Sequence, residues 1–246
     1  MNVAIVGYGN LGWNLETQLT KVGIKVAQIV SYKHSGNGII NNIESIDPNT
    51  NLVFVCKSDS TISDTIHVLS KSRLADTCLV AHTSGSVQMQ NSRFQDAVFY
   101  PFQTFTRGYQ ANWKNVPIFI ETESNNAKRI LAQISLKIDC QVQDLNSEQR
   151  KRLHIAGVFS SNFPNHLIRL MFDFLAKNEI DPKLIHPLMV EAIRKSFELG
   201  PAKAQTGPAM RDDQMVIEKH LELLADNREL HSLYTQFTDG IQKANQ

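Results

Sequence analysis

Near its start the chain reads VAIVGYGNLG (residues 3–12). A short apolar run, Val3 to Val6, enters Gly7-Tyr8-Gly9-Asn10-Leu11-Gly12 with no spacer. The spacing is G-x-G-x-x-G, and it is followed by a helical pattern over Leu11 to Val22 and a second strand-like run over Val26 to Ser31. In that context each glycine has a mechanical task. The first allows a tight strand-to-helix turn, the second admits backbone to a pyrophosphate, and the third lets the helix approach the sheet. The N–H groups at the helix start would face the anion. A glycine turn in an α/β domain with no ligand would use the same residues, but strand, loop and helix in this order favour a dinucleotide site.

The rest of the first half continues the alternation. Strand-like segments are expected at Val3–Val6, Val26–Ser31, Asn51–Cys56, Thr77–Ala81, Ala97–Tyr100, Pro117–Glu121 and Asp139–Gln143. Helical patterns fall between them, as at Ser60–Lys71 and Asn125–Leu136. This is the pattern of an α/β domain with a mostly parallel, doubly wound sheet of Rossmann type. Strand signals stop near residue 146. Asn146 with Gln149 three residues on reads as a capping box. Long helices are expected from there to about Asn178, from Pro182 to Leu199, and from about Asp213 to Lys243. The chain therefore divides into a cofactor-binding domain, 1–146, and an all-α domain, 147–246. No low-complexity tether joins them.

Of the 246 residues, 42% are hydrophobic and 20% charged, as in a soluble globular protein, and the formal net charge is +1. That balance gives no electrostatic case for a nucleic-acid or anionic-membrane partner. No apolar run is long enough for a membrane span. The first strand begins at once, which leaves no space for a signal peptide and points to the cytoplasm. The three cysteines, Cys56, Cys78 and Cys140, lie in strand-like segments without metal spacing. They read as small buried apolar residues in a reducing compartment, and no metal site is expected.

An NAD-selective site usually carries an acid at the end of the second strand, on the ribose hydroxyls. Here that end reads IVSYKHS. Ser31, Lys33 and His34 are donors suited to a 2′-phosphate, which a carboxylate would repel. NADP is therefore expected rather than NAD, although an ordinary solvated turn would also read this way. Ligands in open α/β sheets bind beyond the carboxyl ends of the strands. CKSDS (56–60) offers Lys57 and Ser58 to the cofactor ribose, with Asp59 or Ser60 as cap of the next helix. AHTSGS (81–86) offers His82 and Thr83 to the nicotinamide end of the cofactor and Ser84 to a substrate, or is a simple turn. In YPFQTF (100–105) the two Phe are expected to pack, leaving Gln103 toward a substrate.

The first long helix contains RLHIAGVFSSNFPNHL (152–167). On a wheel of about 100° per residue, His154, Ser161 and Asn165 fall within about 20° of one another, with Asn162 about 80° from His154. A polar stripe on an otherwise apolar helix needs partners. His154 and Asn162 are the catalytic candidates and Ser161 and Asn165 substrate contacts; a core histidine satisfied by a carbonyl is the alternative. Pro164 should kink the helix or free carbonyls near it. In AQTGPAMRDD (204–213), Gly207-Pro208 breaks the chain. Arg211 could clamp a substrate carboxylate or phosphate, and Asp212 or Asp213 caps the last helix.

Together these motifs resemble the bacterial DUF2520 family, Rossmann-like proteins with a helical C-terminal domain. The resemblance covers essentially the whole chain. It rests on Gly7 to Gly12, His82 to Ser86, Pro101 to Phe105, His154 to Asn162, and Thr206-Gly207-Pro208 with Arg211 and Asp213. The family is similar to a larger group that includes pyrroline-5-carboxylate reductase, 6-phosphogluconate dehydrogenase and ketopantoate reductase. Two positions depart from its pattern: Tyr100 stands where a His is common, and Asp212 where a Gly is common. The resemblance implies a C-terminal domain like that of 6-phosphogluconate dehydrogenase. It also implies an NADP-dependent oxidoreductase acting on a small C=O or C=N substrate between the two domains. β-Hydroxyacid-type dehydrogenases of that group carry a catalytic Lys on the corresponding helix with an Asn two turns later; His154 and Asn162 stand in that relation here. An imine reductase resembling pyrroline-5-carboxylate reductase, or an NADP(H)-binding regulatory protein without turnover, are the other readings. The helical domain has only about 100 residues, rich in Phe, Leu and Met, and exposes more apolar surface than one sheet face can cover. A homodimer through the helices is expected, as in the wider group.

Overall fold

The computed structural model describes residues 1–245. Contacts group the chain into two compact units, Met1–Asn162 and Phe163–Gln246.

The first unit is built on an eight-stranded sheet in the order β3-β2-β1-β4-β5-β6-β7-β8. The strands are β1 Val3–Val6, β2 Val26–Val30, β3 Ile39–Ile40, β4 Leu52–Val55, β5 Leu79–His82, β6 Gln95–Pro101, β7 Pro117–Glu121 and β8 Gln141–Asp144. All neighbours are parallel except β6 and β7. Strand β1 lies between β2 and β4, so the order reverses there and makes the switch point at which α/β sheets bind ligands. Strand sequences such as VAIV and LVFV are apolar at every position because both faces are covered. Val3, Ile5, Leu52 and Phe54 pack with Leu15 and Leu19 of α1 (Asn10–Lys21) and with Leu131 and Ile134 of α3 (Asn125–Lys137). Ala4, Val6, Val53 and Val55 pack on the other face with Ile62, Ile66 and Leu69 of α2 (Asp59–Ser70). The doubly wound arrangement is therefore present. The two-residue strand β3 had no signal in the sequence.

The expected capping box starts α4 (Ser147–Gly157). Asn146 accepts from the Gln149 amide at 2.9 Å, and the Gln149 side chain accepts from the Asn146 amide at 3.1 Å. The single long helix expected here is interrupted. Val158–Asn162 is a π-helical turn, and α5 resumes at Phe163–Lys177. Pro164 has no N–H to give the preceding turn, and the wider turn absorbs that loss.

The second unit contains α5, a 3₁₀ turn at Pro182–Ile185, α6 (His186–Leu199), the short α7 (Pro201–Ala204), α8 (Gln214–Leu223) and α9 (Arg228–Ala244). The helix expected from Asp213 to Lys243 is thus two helices. Asn227 begins the second by accepting from the Leu230 amide at 3.1 Å, a cap hidden inside an otherwise periodic stretch. Asp213 does cap α8, through the Val216 amide at 3.3 Å. Asp212 has φ 54°, in the left-handed region that favours glycine. The Asp212 carboxylate accepts hydrogen bonds from Gln214 at 2.7 Å and Gln242 at 2.8 Å, which hold it there. No helix among the described residues is long and apolar enough to cross a membrane.

Candidate functional site

Register brings the loop residues to one edge of the sheet. Val6 pairs with Val30 and Val55, and Val55 with His82. Gly7, Ser31, Cys56 and Thr83 therefore all follow directly at the same carboxyl edge. Gly7 has φ +102°, and a Cβ there would lie 2.2 Å from the Cys56 carbonyl oxygen. At Gly12 a Cβ would lie 2.0 Å from the Gly7 carbonyl oxygen. These two glycines are demanded by the turn itself. Gly9 is different: a Cβ would meet nothing within 4 Å. Gly9 is also the N-cap of α1 and contributes no side-chain cap, which leaves first-turn N–H groups open to an anion. Turn, open approach and free donors fit the pyrophosphate of a dinucleotide.

Around this loop the expected residues take distinct places. Ser31 is buried, and its hydroxyl lies 2.8 Å from His34 Nδ1. The His34 ring meets Tyr8 edge-on at 5.6 Å between centroids. Lys33 is exposed. Asn10 accepts from the Arg107 amide at 3.1 Å, and Leu11 packs onto the core. Lys57 lies over the Tyr32 ring at 5.7 Å and, with Val30, Thr61 and Thr65, lines a groove of about 210 Å³ that reaches Gly7. Ser58 is the cap position of α2, with its hydroxyl 3.1 Å from that of Thr61. Asp59 is not the cap, contrary to expectation; it is the first helical residue and accepts from the Ser86 hydroxyl.

The 82–86 loop is tightly held. His82 is fully buried. Its Nδ1 accepts from the Ser84 amide at 3.3 Å and its Nε2 lies 3.1 Å from the Gln88 carbonyl. His82, expected at the nicotinamide end of the cofactor, instead spends both ring nitrogens on the loop. Burial, followed by the nearby Arg150 charge, lowers its pKa to about 4, so the ring is neutral. Thr83 donates to the Val55 carbonyl at 3.3 Å. The Ser84 hydroxyl accepts from the Ser86 and Val87 amides at 3.0 Å each, so it too is engaged in the turn.

Arg150, which nothing in the sequence singled out, is 0% exposed. It donates to the Ser84 carbonyl at 3.1 Å, to Glu121 at 2.6 Å and to the Val87 carbonyl. Ser147 completes the cluster, with its hydroxyl 2.9 Å from Glu121. The start of α4 is thereby fastened to both the 84–87 turn and the end of β7. One turn along the same helix face stands His154, the relation that could have revealed Arg150 in the sequence.

His154 Nδ1 lies 3.0 Å from the Tyr100 hydroxyl. Burial, then the charge of Asp59, raises the Tyr100 pKa to about 12, so the phenol keeps its proton. Gly85 closes this pair from behind: a Cβ there would be 2.7 Å from His154 Nδ1 and 2.6 Å from Tyr100 Cζ. In front lies a cavity of about 380 Å³ lined by Tyr100, Phe102, Gln103, Thr104, His154 and the π turn including Ser161 and Asn162. The structure thus gathers His154, Gln103, Ser161 and Asn162 around one cavity. A π turn takes more residues per revolution than an α turn, so Asn162 lags its straight-helix position and swings toward the His154 face. Asn165, on α5, and Arg211, after α7, belong to the second unit and are not among the residues lining this cavity. The expected stripe of His154, Ser161 and Asn165 assumed an unbroken α-helix, which the π turn denies.

Two cationic residues at the edge were not anticipated. Arg107 donates to the Tyr8 carbonyl and lies over the Tyr8 ring at 4.5 Å; Arg150 is described above. The cysteines are free, with Cys78 and Cys140 buried and Cys56 partly so. Burial pushes their pKa values to about 12 for Cys56 and about 11 for Cys78 and Cys140, so none is a thiolate at neutral pH.

Residues 116–241 match the family described as a domain of unknown function, DUF2520. No curated protein matches the chain. A Bacteroides fragilis protein provisionally described as an NADP oxidoreductase is 32% identical, with 98% of each chain covered and a TM-score of 0.92. The imine reductase from Myxococcus stipitatus, solved with NADP+, is 11% identical over 99% of this chain and 94% of its own, with a TM-score of 0.67. Pyrroline carboxylate reductase from Plasmodium falciparum, solved with NADP, is 10% identical over 100% of both chains, with a TM-score of 0.58. At those identities the last two share the fold. The family match spans more than half of the chain and the 32%-identical relative nearly all of it: the chain belongs to the DUF2520 family.

Proposed function

We propose that this protein is an NADP-dependent oxidoreductase that moves hydride between nicotinamide and a small C=O or C=N substrate. The observation that carries the reading is the Tyr100–His154 pair, held between Gly85 and a cavity in a domain whose glycine loop fits a dinucleotide. The descriptions of the Bacteroides, Myxococcus and Plasmodium proteins support the same class. Bound NADP supplies the hydride chemistry. The chain's own residues do the rest. Negative charge or lone-pair density grows on the substrate heteroatom during reduction and calls for a proton donor within hydrogen-bonding reach. His154 fills that role. Tyr100 engages Nδ1, so Nε2, which has no protein partner among the described residues, is the atom that exchanges the proton. Asn162, Ser161 and Gln103 orient the substrate from the cavity wall.

Ser31 fixes His34, and together with Lys33 they receive the 2′-phosphate, which makes NADP the preferred cofactor over NAD. Lys57 and Ser58 face the ribose. Residues 1–146 carry the cofactor, and residues 147–246 form a homodimer. In the second unit Phe197 is 88% exposed, Leu184 70% and Leu188 69%; apolar surface on this scale favours a partner helix face. We place the protein in the cytoplasm.

Calorimetric titration with NADPH tests the cofactor site. NADPH oxidation against a panel of small ketones, aldehydes and cyclic imines then tests turnover. Activity on an imine alone would narrow the reading to imine reduction. Tight NADPH binding with no oxidation across the panel would replace it with an NADP(H)-binding regulatory role.

A further inference from the structure

Arg107 lies in the connection between β6 and β7, far in sequence from the glycine loop, yet its guanidinium sits on that loop. The connection is built onto α1. Buried Asn14 donates to the Thr106 carbonyl at 3.1 Å and accepts from the Ala111 amide at 3.0 Å, while the Arg107 amide donates to Asn10 at 3.1 Å. These bonds aim the Arg107 side chain at Tyr8, the residue between Gly7 and Gly9. There it stacks on the ring at 4.5 Å and donates to the Tyr8 carbonyl.

A guanidinium has five N–H donors. Only the bond to Tyr8 engages the Arg107 side chain among the described residues, and no carboxylate there pairs with it. The cation is thus held, with no carboxylate paired to it within 4 Å, beside a loop whose open helix N-terminus already favours an anion. The geometry points to Arg107 as the pyrophosphate clamp of the bound dinucleotide. This assignment rests on the dinucleotide reading above. One face of the pyrophosphate would take the α1 amides, and the other the planar fork of Arg107, whose geometry matches phosphate oxygens. The same connection carries Gln103 and Thr104 into the His154 cavity, so cofactor binding would also order part of the substrate wall.

The test is calorimetry of the full chain with NADPH and with NADH, for the unaltered protein, Arg107→Ala and Arg107→Lys, with melting curves recorded without ligand. Pyrophosphate is common to both cofactors, so Arg107→Ala should weaken both by the same factor, about tenfold. Arg107→Lys keeps the charge but loses the planar fork and should recover part of that loss. Hydrogen exchange adds a second readout: NADPH should protect residues 102–111 in the unaltered protein and less in Arg107→Ala. A loss confined to NADPH would assign Arg107 to the 2′-phosphate and overturn the proposal. So would unchanged affinities, or a Lys variant as weak as Ala, which would mark Arg107 as a structural staple on Tyr8. Failure of the unaltered protein to bind either cofactor would instead overturn the dinucleotide reading, and this assignment with it.

Discussion

Lowering the pH should unlock the turn behind the candidate site through one residue, His82. The ring is fully buried at the end of β5, and its Nδ1 must stay unprotonated to accept from the Ser84 amide. Burial and then the Arg150 charge bring its pKa from 6.5 to about 4. Because the folded value lies below the unfolded one, the unfolded chain binds the proton first. The stability tied to neutral His82 is complete above about pH 6.5 and is lost as pH falls toward about 4. At about 1.4 kcal/mol per pH unit, the loss between about pH 7.5 and 4.5 comes to about 2.5 kcal/mol from this group alone. Chemical denaturation of the full chain at both pH values, for the unaltered protein and His82→Asn, isolates the term, since carboxylates contribute equally to both. The variant should be less stable at neutral pH and should lose about 2.5 kcal/mol less on acidification. Parallel pH profiles would refute the reasoning, as would a ring-proton titration of His82 with its midpoint near about 6.5 in the folded protein.

Four further outcomes are expected. His154→Ala should keep NADPH affinity and lose about 10²- to 10⁴-fold in turnover; full single-turnover rates in the folded variant would remove His154 from the chemistry. Calorimetry should show NADPH bound at least about tenfold tighter than NADH, given charge-assisted bonds of about 1.5–3 kcal/mol each. Ser31→Asp should reverse that preference, and equal affinities in the unaltered protein would sink it. Arg150→Met, which leaves Glu121 without its cation and takes the Arg150 donor from the Ser84 and Val87 carbonyls, should cost about 3–5 kcal/mol in denaturant titration; a loss below about 1 kcal/mol would show the cluster to be dispensable. Sedimentation at micromolar concentration should give a dimer that Phe197→Glu weakens, and a monomer would contradict the apolar-surface argument.

The chain by itself determined what short-range physics encodes. The glycine spacing after Val3–Val6 fixes a strand, a tight turn and a helix within ten residues. Alternation of strand and helix patterns gives the doubly wound sheet. Asn146 and Gln149 announce the helix that carries His154. Each of these is written in neighbours a few residues apart. Local signals also failed where two periodic stretches ran together: the wheel could not foresee that Val158–Asn162 would widen into a π turn, nor that Asn227 would split the last helix.

What only the tertiary structure decided is which side chains meet. Tyr100 and His154 are 54 positions apart, and Arg107 and Tyr8 are 99 apart. No periodicity reports a contact between a strand end and a helix face. An arginine in a charged stretch such as SEQRKRLH is taken for a solvated one until Glu121 and two turn carbonyls are found around it. His82 reads as a cofactor contact until its burial between β4 and β6 is seen. Charge, burial and proton affinity depend on what surrounds a group in space, and sequence order leaves those surroundings open until the chain has folded.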